Sequence, residues 1–218
     1  MNLRLLQLAS PSLPVGAYSY SQGLEAAIEA GVVRDAASAA AWIGDVLALS
    51  VGSFEAPVMV RLMDAWQRGD AEAARGWNAL FVASRETAEL RAETVQMGYS
   101  LRRLLRDLAL DVAPLEAFEE LAYPAAFAFA VARWRIDAGE ALEAYLFAWI
   151  ENQVLAAVKA VPLGQTDGQR TLLALAQAVP AIAAAAVRCD DADMTNFAPG
   201  LALLSSRHET QYSRIFRS

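Results

Sequence analysis

The sequence predicts an all-α protein, a single-domain bundle of about ten helices followed by a polar C-terminal tail. Three observations carry that expectation. Alanine and leucine, both strong helix formers, dominate the chain. Alternating runs of β-branched residues, the mark of strands, are absent. Capping residues, glycines and prolines recur at intervals that suit helices. At 218 residues the chain fits one domain that buries roughly 70 % of its unfolded surface, so no disulfide or metal staple is required.

The elements follow in order. Met1–Ala9 reads as a short apolar helix, and Ser10–Tyr18 as a loop set by Pro11, Pro14 and Gly16. Ser19 and Gln22 have capping-box spacing for a helix to about Ala30, ended by Gly31. Asp35 caps a helix to about Val51, and Ser53 another to about Arg68, before the Gly69–Asp70 turn. A helix from Ala71 to about Ala83 follows. Glu86–Leu108 is the clearest amphipath, with Leu90, Met97, Leu101, Leu104, Leu105 and Leu108 on one stripe and Arg85/Glu89 spaced for an ion pair. Pro114 and Pro124 mark the starts of two more helices. Asp137 with Glu140 opens a long helix through Glu151 and Lys159 that stops near Pro162. Thr166 with Gln169 opens an apolar helix with a break or kink at Pro180. An acidic turn at Asp190–Asp193 and a last helix over about Pro199–Ser206 complete the body. The boundaries are therefore 1–206 for the helical domain and 207–218 for the tail. There is no internal repeat and no low-complexity linker.

Composition narrows the function. The chain has one lysine, Lys159, one histidine, His208, and one cysteine, Cys189. Acid–base, nucleophilic and metal chemistry draw heavily on these residue types, so a chain nearly without them is expected to work by contact. Hydrophobic residues make up 56 % and mean hydropathy is +0.27. Yet the longest apolar run, Leu172–Val187, contains Gln177 and Pro180 and falls short of the ~20 residues of a spanning helix. The expectation is apolar surface covered by partners, not by a membrane. Pro11 and Pro14 interrupt any signal-peptide pattern, and one cysteine excludes an intrachain disulfide, so a cytoplasmic location is expected. Net charge is −7, against general nucleic-acid binding.

Catalytic motifs fail on inspection. Gly164–Gln169 lacks the lysine and hydroxyl residue of a phosphate loop. His208-Glu209 begins like a zinc-protease helix, but Tyr212 stands where the second histidine belongs. Gly98–Arg102 lacks the final glycine of a nucleophile elbow. A closed metal site within one chain is not expected from a single histidine and cysteine; a site shared across a symmetric dimer stays open.

Four stretches together resemble the UreF family of urease accessory proteins. They are Leu5–Glu25 with its Ser10-Pro11-Ser12-Leu13-Pro14-Val15-Gly16 core, Glu89–Gly98, Glu151–Gln169, and His208–Ser218. They lie in order, in register, across the whole chain. The resemblance implies an all-α homodimer without enzymatic activity of its own. It implies an adaptor that joins a UreD (UreH) protein and the GTPase UreG, so that nickel reaches apo-urease. No tightly bound cofactor is implied; nickel passes through the complex. An alternative implied role is a regulator that activates the GTPase, with a tail arginine as a finger.

Site residues are expected in two groups. For the GTPase face these are Lys159, Glu25, Tyr18 and Gln165. Glu151 and Lys159 lie on roughly one side of their helix, with Gln165 and Gln169 in the neighbouring loop. Pro14, Gly16, Tyr18, Tyr20 and Glu25 form a rigid loop with amphipathic anchors. The simpler accounts are a lysine serving helix-end carbonyls and a solvated Glu25. For the UreD face they are Arg207, His208, Tyr212, Arg214, Phe216 and Arg217. Tyr212 and Phe216 are spaced i, i+4 among arginines, the composition of interface hot spots. A polar end of this kind is expected to be frayed in the isolated chain and to fold on its partner. His208 is expected as a tail residue more than a metal ligand, and Cys189 as inert.

Overall fold

Pro124 to Val131 is buried without a break, and the helix that carries this run is the hub of the fold. The computed structural model describes residues 2–161 and 163–218. In chain order the helices are α1 (Leu3–Leu8), α2 (Leu24–Glu29), α3 (Ala36–Val46), α4 (Ala56–Gln67), α5 (Ala71–Ala83), α6 (Ala88–Asp107) and α7 (Ala113–Glu116). Then follow α8 (Tyr123–Arg133), α9 (Ala138–Ala160), α10 (Gln165–Ala176), α11 (Val179–Arg188) and α12 (Pro199–His208). No strand is present among the described residues. The all-α expectation holds. α8 packs against α4 and α6; α4 also packs against α5, α9 and α11; α12 lies on α2. Trp66 and Phe129 meet edge-to-face at 5.1 Å, where α4 crosses α8.

Of the expected caps, Asp35 and Asp137 hold, while Asp70 and Thr87 cap helices for which the sequence suggested no cap. Asp35 and Ser38 form a reciprocal box. Asp70, Thr87 and Asp137 each accept a backbone N–H of their own first turn. Other expectations fail for identifiable reasons. α2 opens at Gly23, in the left-handed region, and not at Ser19; Gln22 is tied elsewhere by its side chain. Thr166 caps nothing, because Gly164 is the N-cap of α10. Arg85 pairs with Glu55 at 3.5 Å, while Glu89 turns to His208 and Arg214. On the α6 stripe Leu90, Met97, Leu101 and Leu105 are buried, but Leu108 is exposed. The stop near Pro162 and the start at Met1 lie outside the described residues.

The largest departure is at Ser53. The chain does not stop near Val51 and restart; Leu47–Glu55 continues as a π-helix into α4. Widened turns release carbonyls from the ladder, and residues before α12 take them up. Thr195 N–H donates to Ser53 O at 3.1 Å and Phe197 N–H to Leu49 O at 3.3 Å. Ser53 Oγ returns a bond to Thr195 O at 2.8 Å. The result is a continuous path, Ala36–Gln67, long and apolar enough to cross a membrane by length and composition. Two thirds of its apolar window (67 %) is buried in the bundle, as befits a core helix. Gln165–Arg188 passes the same test with 28 % buried, and a turn at Gln177–Ala178 divides it.

Gly98 shows why α6 approaches the loop before α8 so closely. A Cβ there would lie 2.0 Å from Leu121 O, a distance no side chain tolerates.

Candidate functional site

Lys159 lies in the last turn of α9 and is exposed. Its ammonium stands 5.6 Å from the ring centroid of Tyr18 and 5.6 Å from that of Phe216. Each such contact contributes about 0.5–1 kcal/mol at an exposed position. Tyr18 belongs to a short 3-10 turn, Ala17–Ser19, entered through Gly16 at φ 83°. A left-handed φ is available to glycine at no steric cost. The proline-rich loop and the end of α9 are thus brought together, and the tail joins them.

The tail is not frayed. After α12 the chain turns back through Gln211 N–H on His208 O, 3.0 Å, and crosses α2 and α6. Glu25 receives it: its carboxylate accepts the N–H of Ile215 at 2.7 Å and of Phe216 at 2.9 Å. Arg217 N–H donates to Ser19 O at 2.8 Å and Ser21 N–H to Ser218 O at 2.9 Å. The Ser21 hydroxyl donates to the same carbonyl. Three successive tail N–H groups, at 215, 216 and 217, therefore have acceptors on the body. Phe216 is buried, which contributes about 2 kcal/mol. Polar composition alone predicts fraying; a buried carboxylate aimed at the tail's amides reverses that outcome.

His208 anchors the start of the tail at 0 % exposure. Its Nδ1 faces Glu89 Oε2 at 2.6 Å and its Nε2 faces Glu25 Oε2 at 3.2 Å. Ionised carboxylates only accept, so the ring bonds both when both nitrogens carry hydrogen. Arg214 Nη1 closes the cluster on Glu89 Oε1 at 2.7 Å.

One turn along α6 from Glu89 lies Glu93, 6 % exposed. It accepts Gln22 Nε2–H and Ser218 Oγ–H, each at 2.7 Å. Trp149 Nε1–H fixes the other end of Gln22 at 2.8 Å. Gln22 is held at φ 53°, a conformation costing roughly 1–2 kcal/mol for a residue with a Cβ. Burial raises the Glu93 carboxyl from 4.5 to about 7 against the two hydrogen bonds that lower it. Burial, then the neighbouring Glu93 charge, raises the Tyr20 phenol. Behind Glu93 is a cavity of about 90 Å³, bordered by Gln22, Glu55, Arg85, Tyr123 and Tyr145. The Tyr145 hydroxyl donates to Glu55, and Arg85 Nε has no partner among the described residues.

The expected site residues now sort by exposure. Tyr18, Lys159 and Gln165 are on the surface. Glu25 is not solvated, being 7 % exposed beneath the tail. Arg207, Tyr212, Arg214 and Arg217 face outward, whereas His208 and Phe216 face inward. The Tyr212–Phe216 pair does not share a helical face: residues 209–218 are not helical, Tyr212 is fully exposed and Phe216 buried. Ser21, Glu89, Glu93 and Ser218 were not among the expected site residues, Glu89 having been expected only as an ion-pair partner of Arg85. Glu89 and Glu93 carried a faint signal, since they flank the apolar Leu90 on the same helix.

No set of three or more His, Cys, Asp or Glu spaced for a metal ion occurs among the described residues. The arrangement is one of contact: backbone amides, carboxylate–cation pairs and an aromatic socket that hold a segment in place.

Comparison with known proteins is extensive. The UreF family model matches residues 33–176. The "Urease accessory protein UreF" of Azoarcus sp. (strain BH72) is 61 % identical, with 99 % of this chain and 95 % of the relative covered. That of Dechloromonas aromatica (strain RCB) is 55 % identical, with 99 % and 96 % covered. A "Bifunctional urease accessory protein UreEF" of Bordetella bronchiseptica is 50 % identical over 98 % of this chain and 51 % of its own length.

Proposed function

Because this chain belongs to the UreF family of urease accessory proteins, we propose that it is a non-enzymatic adaptor in nickel insertion. In this reading it works in the cytoplasm as a homodimer, and it holds a UreD-type protein and the GTPase UreG together at apo-urease. The observation that carries the reading is the surface at the end of α9, where Lys159 meets Tyr18 and Phe216. A lone lysine flanked by aromatic rings on a chain of net charge −7 is a local exception to the surrounding field. It suits a partner with a carboxylate at the matching position. Lys159, Tyr18 and the exposed Gln165 form the GTPase face. The outward tail residues Arg207, Tyr212, Arg214 and Arg217, with exposed Ile215, form the UreD face. His208, Phe216 and Glu25 serve both faces from beneath by holding the tail in position. Nickel is the cargo of the assembly and needs no resident site in this chain. The fusion of a homologous half into a bifunctional accessory protein in Bordetella bronchiseptica fits a protein that acts beside others of its pathway.

Pull-down with each purified partner tests the assignment. Lys159→Glu is expected to abolish GTPase capture and to spare UreD capture. The pair Tyr212→Ala and Ile215→Ala is expected to weaken UreD capture at least ~30-fold, the scale of about 2 kcal/mol at a hot spot, and to leave helicity unchanged. Undiminished capture of the GTPase by the Lys159 variant rejects the face. Deletion of Arg207–Ser218 is a poorer test, because it also strips Glu25 and Glu93 of their partners.

A further inference from the structure

The ends of α4, α6 and α8 and the start of α9 border one open cleft, which Arg4 of α1 also lines. The α9 helix runs 23 residues, so roughly 30 Å separates this cleft, at its start, from Lys159, at its end. Three exposed arginines, Arg4, Arg133 and Arg135, line the cleft. None of them forms an ion pair among the described residues. Arg4 lies over the Trp134 ring at 5.5 Å and Arg133 over Phe129 at 5.8 Å. The aspartates of the cleft are held by backbone amides: Asp111 accepts Ala113 N–H at 3.1 Å and Asp137 accepts Glu140 N–H at 2.9 Å. Glu140 shares the adjoining surface with Arg4 and Trp134. Trp134, Leu108 and Leu110 add apolar surface.

The backbone around the cleft breaks a rule that the chain keeps elsewhere. Four helices end alike, with a left-handed residue followed by an amide that reaches back into the last turn. Val32 N–H donates to Ala27 O and Asp70 N–H to Ala65 O, both at 2.9 Å; Leu110 N–H donates to Leu105 O and Ile136 N–H to Val131 O, both at 3.0 Å. After α2 and α4 the left-handed residue is glycine, Gly31 at φ 70° and Gly69 at φ 72°. After α6 and α8 it is Ala109 at φ 61° and Arg135 at φ 53°. Glycine takes this conformation freely, and a residue with a Cβ does so at a cost. Both exceptions border the cleft. Arg135 is therefore kept, with its side chain exposed, where local chemistry asks for glycine, and strain of this kind gathers at working surfaces. We propose that the cleft docks a short acidic segment of a partner protein, with its carboxylates on Arg4, Arg133 and Arg135 and an apolar side chain on Trp134 and Leu108. The guanidinium fork matches a carboxylate with two parallel hydrogen bonds. Charge selects the length of the occupant. The field of a chain of net charge −7 holds off a long polyanion such as nucleic acid. A segment with few carboxylates meets the three free cations at short range, where the distant acidic residues are screened. This surface is additional to those proposed for the GTPase and the UreD-type protein, and its distance from Lys159 lets it fill while they are engaged.

A peptide of a few Glu-Leu-Glu repeats, blocked at both ends, is the probe, titrated into the full chain in a calorimeter at low ionic strength. Saturable binding is expected. Arg133→Glu with Arg135→Glu is expected to weaken it at least ~tenfold, the scale of losing two charge-assisted contacts. Arg34→Glu with Arg75→Glu changes the net charge equally from exposed positions outside the cleft and is expected to leave affinity within about twofold, since screened charges at a distance contribute little. Absence of saturable binding overturns the proposal, and so does an equal loss in the two pairs, which would reduce the effect to the general field of the chain. Arg135→Gly removes the guanidinium and relieves the backbone at the same time. Its thermal stability is expected to hold or rise while its affinity for the peptide falls at least ~threefold, as for one lost contact. Unchanged affinity in that variant overturns the proposal. Should the charge-reversed pair not fold, Arg135→Gly decides alone.

Discussion

At the residue scale the chain concentrates its rare side chains where the tail is held. His208 sits between two carboxylates with no exposure to solvent, so His208→Ala leaves both Glu25 and Glu89 short of a donor in a buried setting. Loss of one partner from a buried charged cluster costs about 3–5 kcal/mol, and at this chain length each kcal/mol shifts the melting temperature by roughly 2–4 °C. The expected drop is about 10 °C by calorimetry; a change under about 2 °C would show that the clasp adds little. The sequence singles out Lys159 and His208 by their scarcity, and it places Tyr18 and Glu25 in one local segment. It does not reveal that Glu25 is buried, because its partners are 183 to 191 positions away. Local composition classes such a carboxylate as solvated; long-range pairing decides otherwise.

At the scale of elements, α10 and α11 stand out. From Thr171 to Val187 there is no charged residue, yet Leu173 and Val187 are exposed, at 69 % and 57 %. In a chain of net charge −7 two identical copies repel across most faces, and an uncharged face is where they approach without that repulsion. Such a face suits the homodimer proposed above. Sedimentation is expected to give a dimer for the unsubstituted chain and monomers for the double substitution Leu173→Glu with Val187→Glu. A mass unchanged by the pair would remove the face from the interface. Helix positions were legible here because alanine, leucine and the Asp35 and Asp137 caps act locally. The π segment was not, since its released carbonyls are met by Thr195 and Phe197, more than 140 positions away. The Ser53 hydroxyl, read as a cap, bonds to that same distant strip.

At the scale of the whole molecule the bundle is a scaffold for surfaces. α8 packs its apolar run against α4, so that run is core. The tail then carries its outward arginines and Tyr212 past the end of α9. The family and its all-α fold were readable from four stretches in register, because those stretches include the residues that now explain one another. Glu25, Glu89, Gly98, Lys159 and Phe216 meet through the tail or the close approach of α6. The partner assignments rest on surface chemistry, where composition points to contact without naming its geometry. GTP hydrolysis by UreG, measured with and without this chain and the UreD-type protein, distinguishes an adaptor from a regulator that supplies an arginine in trans.

The central claim is that this chain acts by assembling others and carries out no reaction by itself. Size-exclusion chromatography of the chain mixed with a UreD-type protein and UreG tests it most directly. Co-elution of all three as one species, lost for UreG alone on Lys159→Glu, is the predicted result. Separate elution of the three proteins under conditions where each is folded would contradict it.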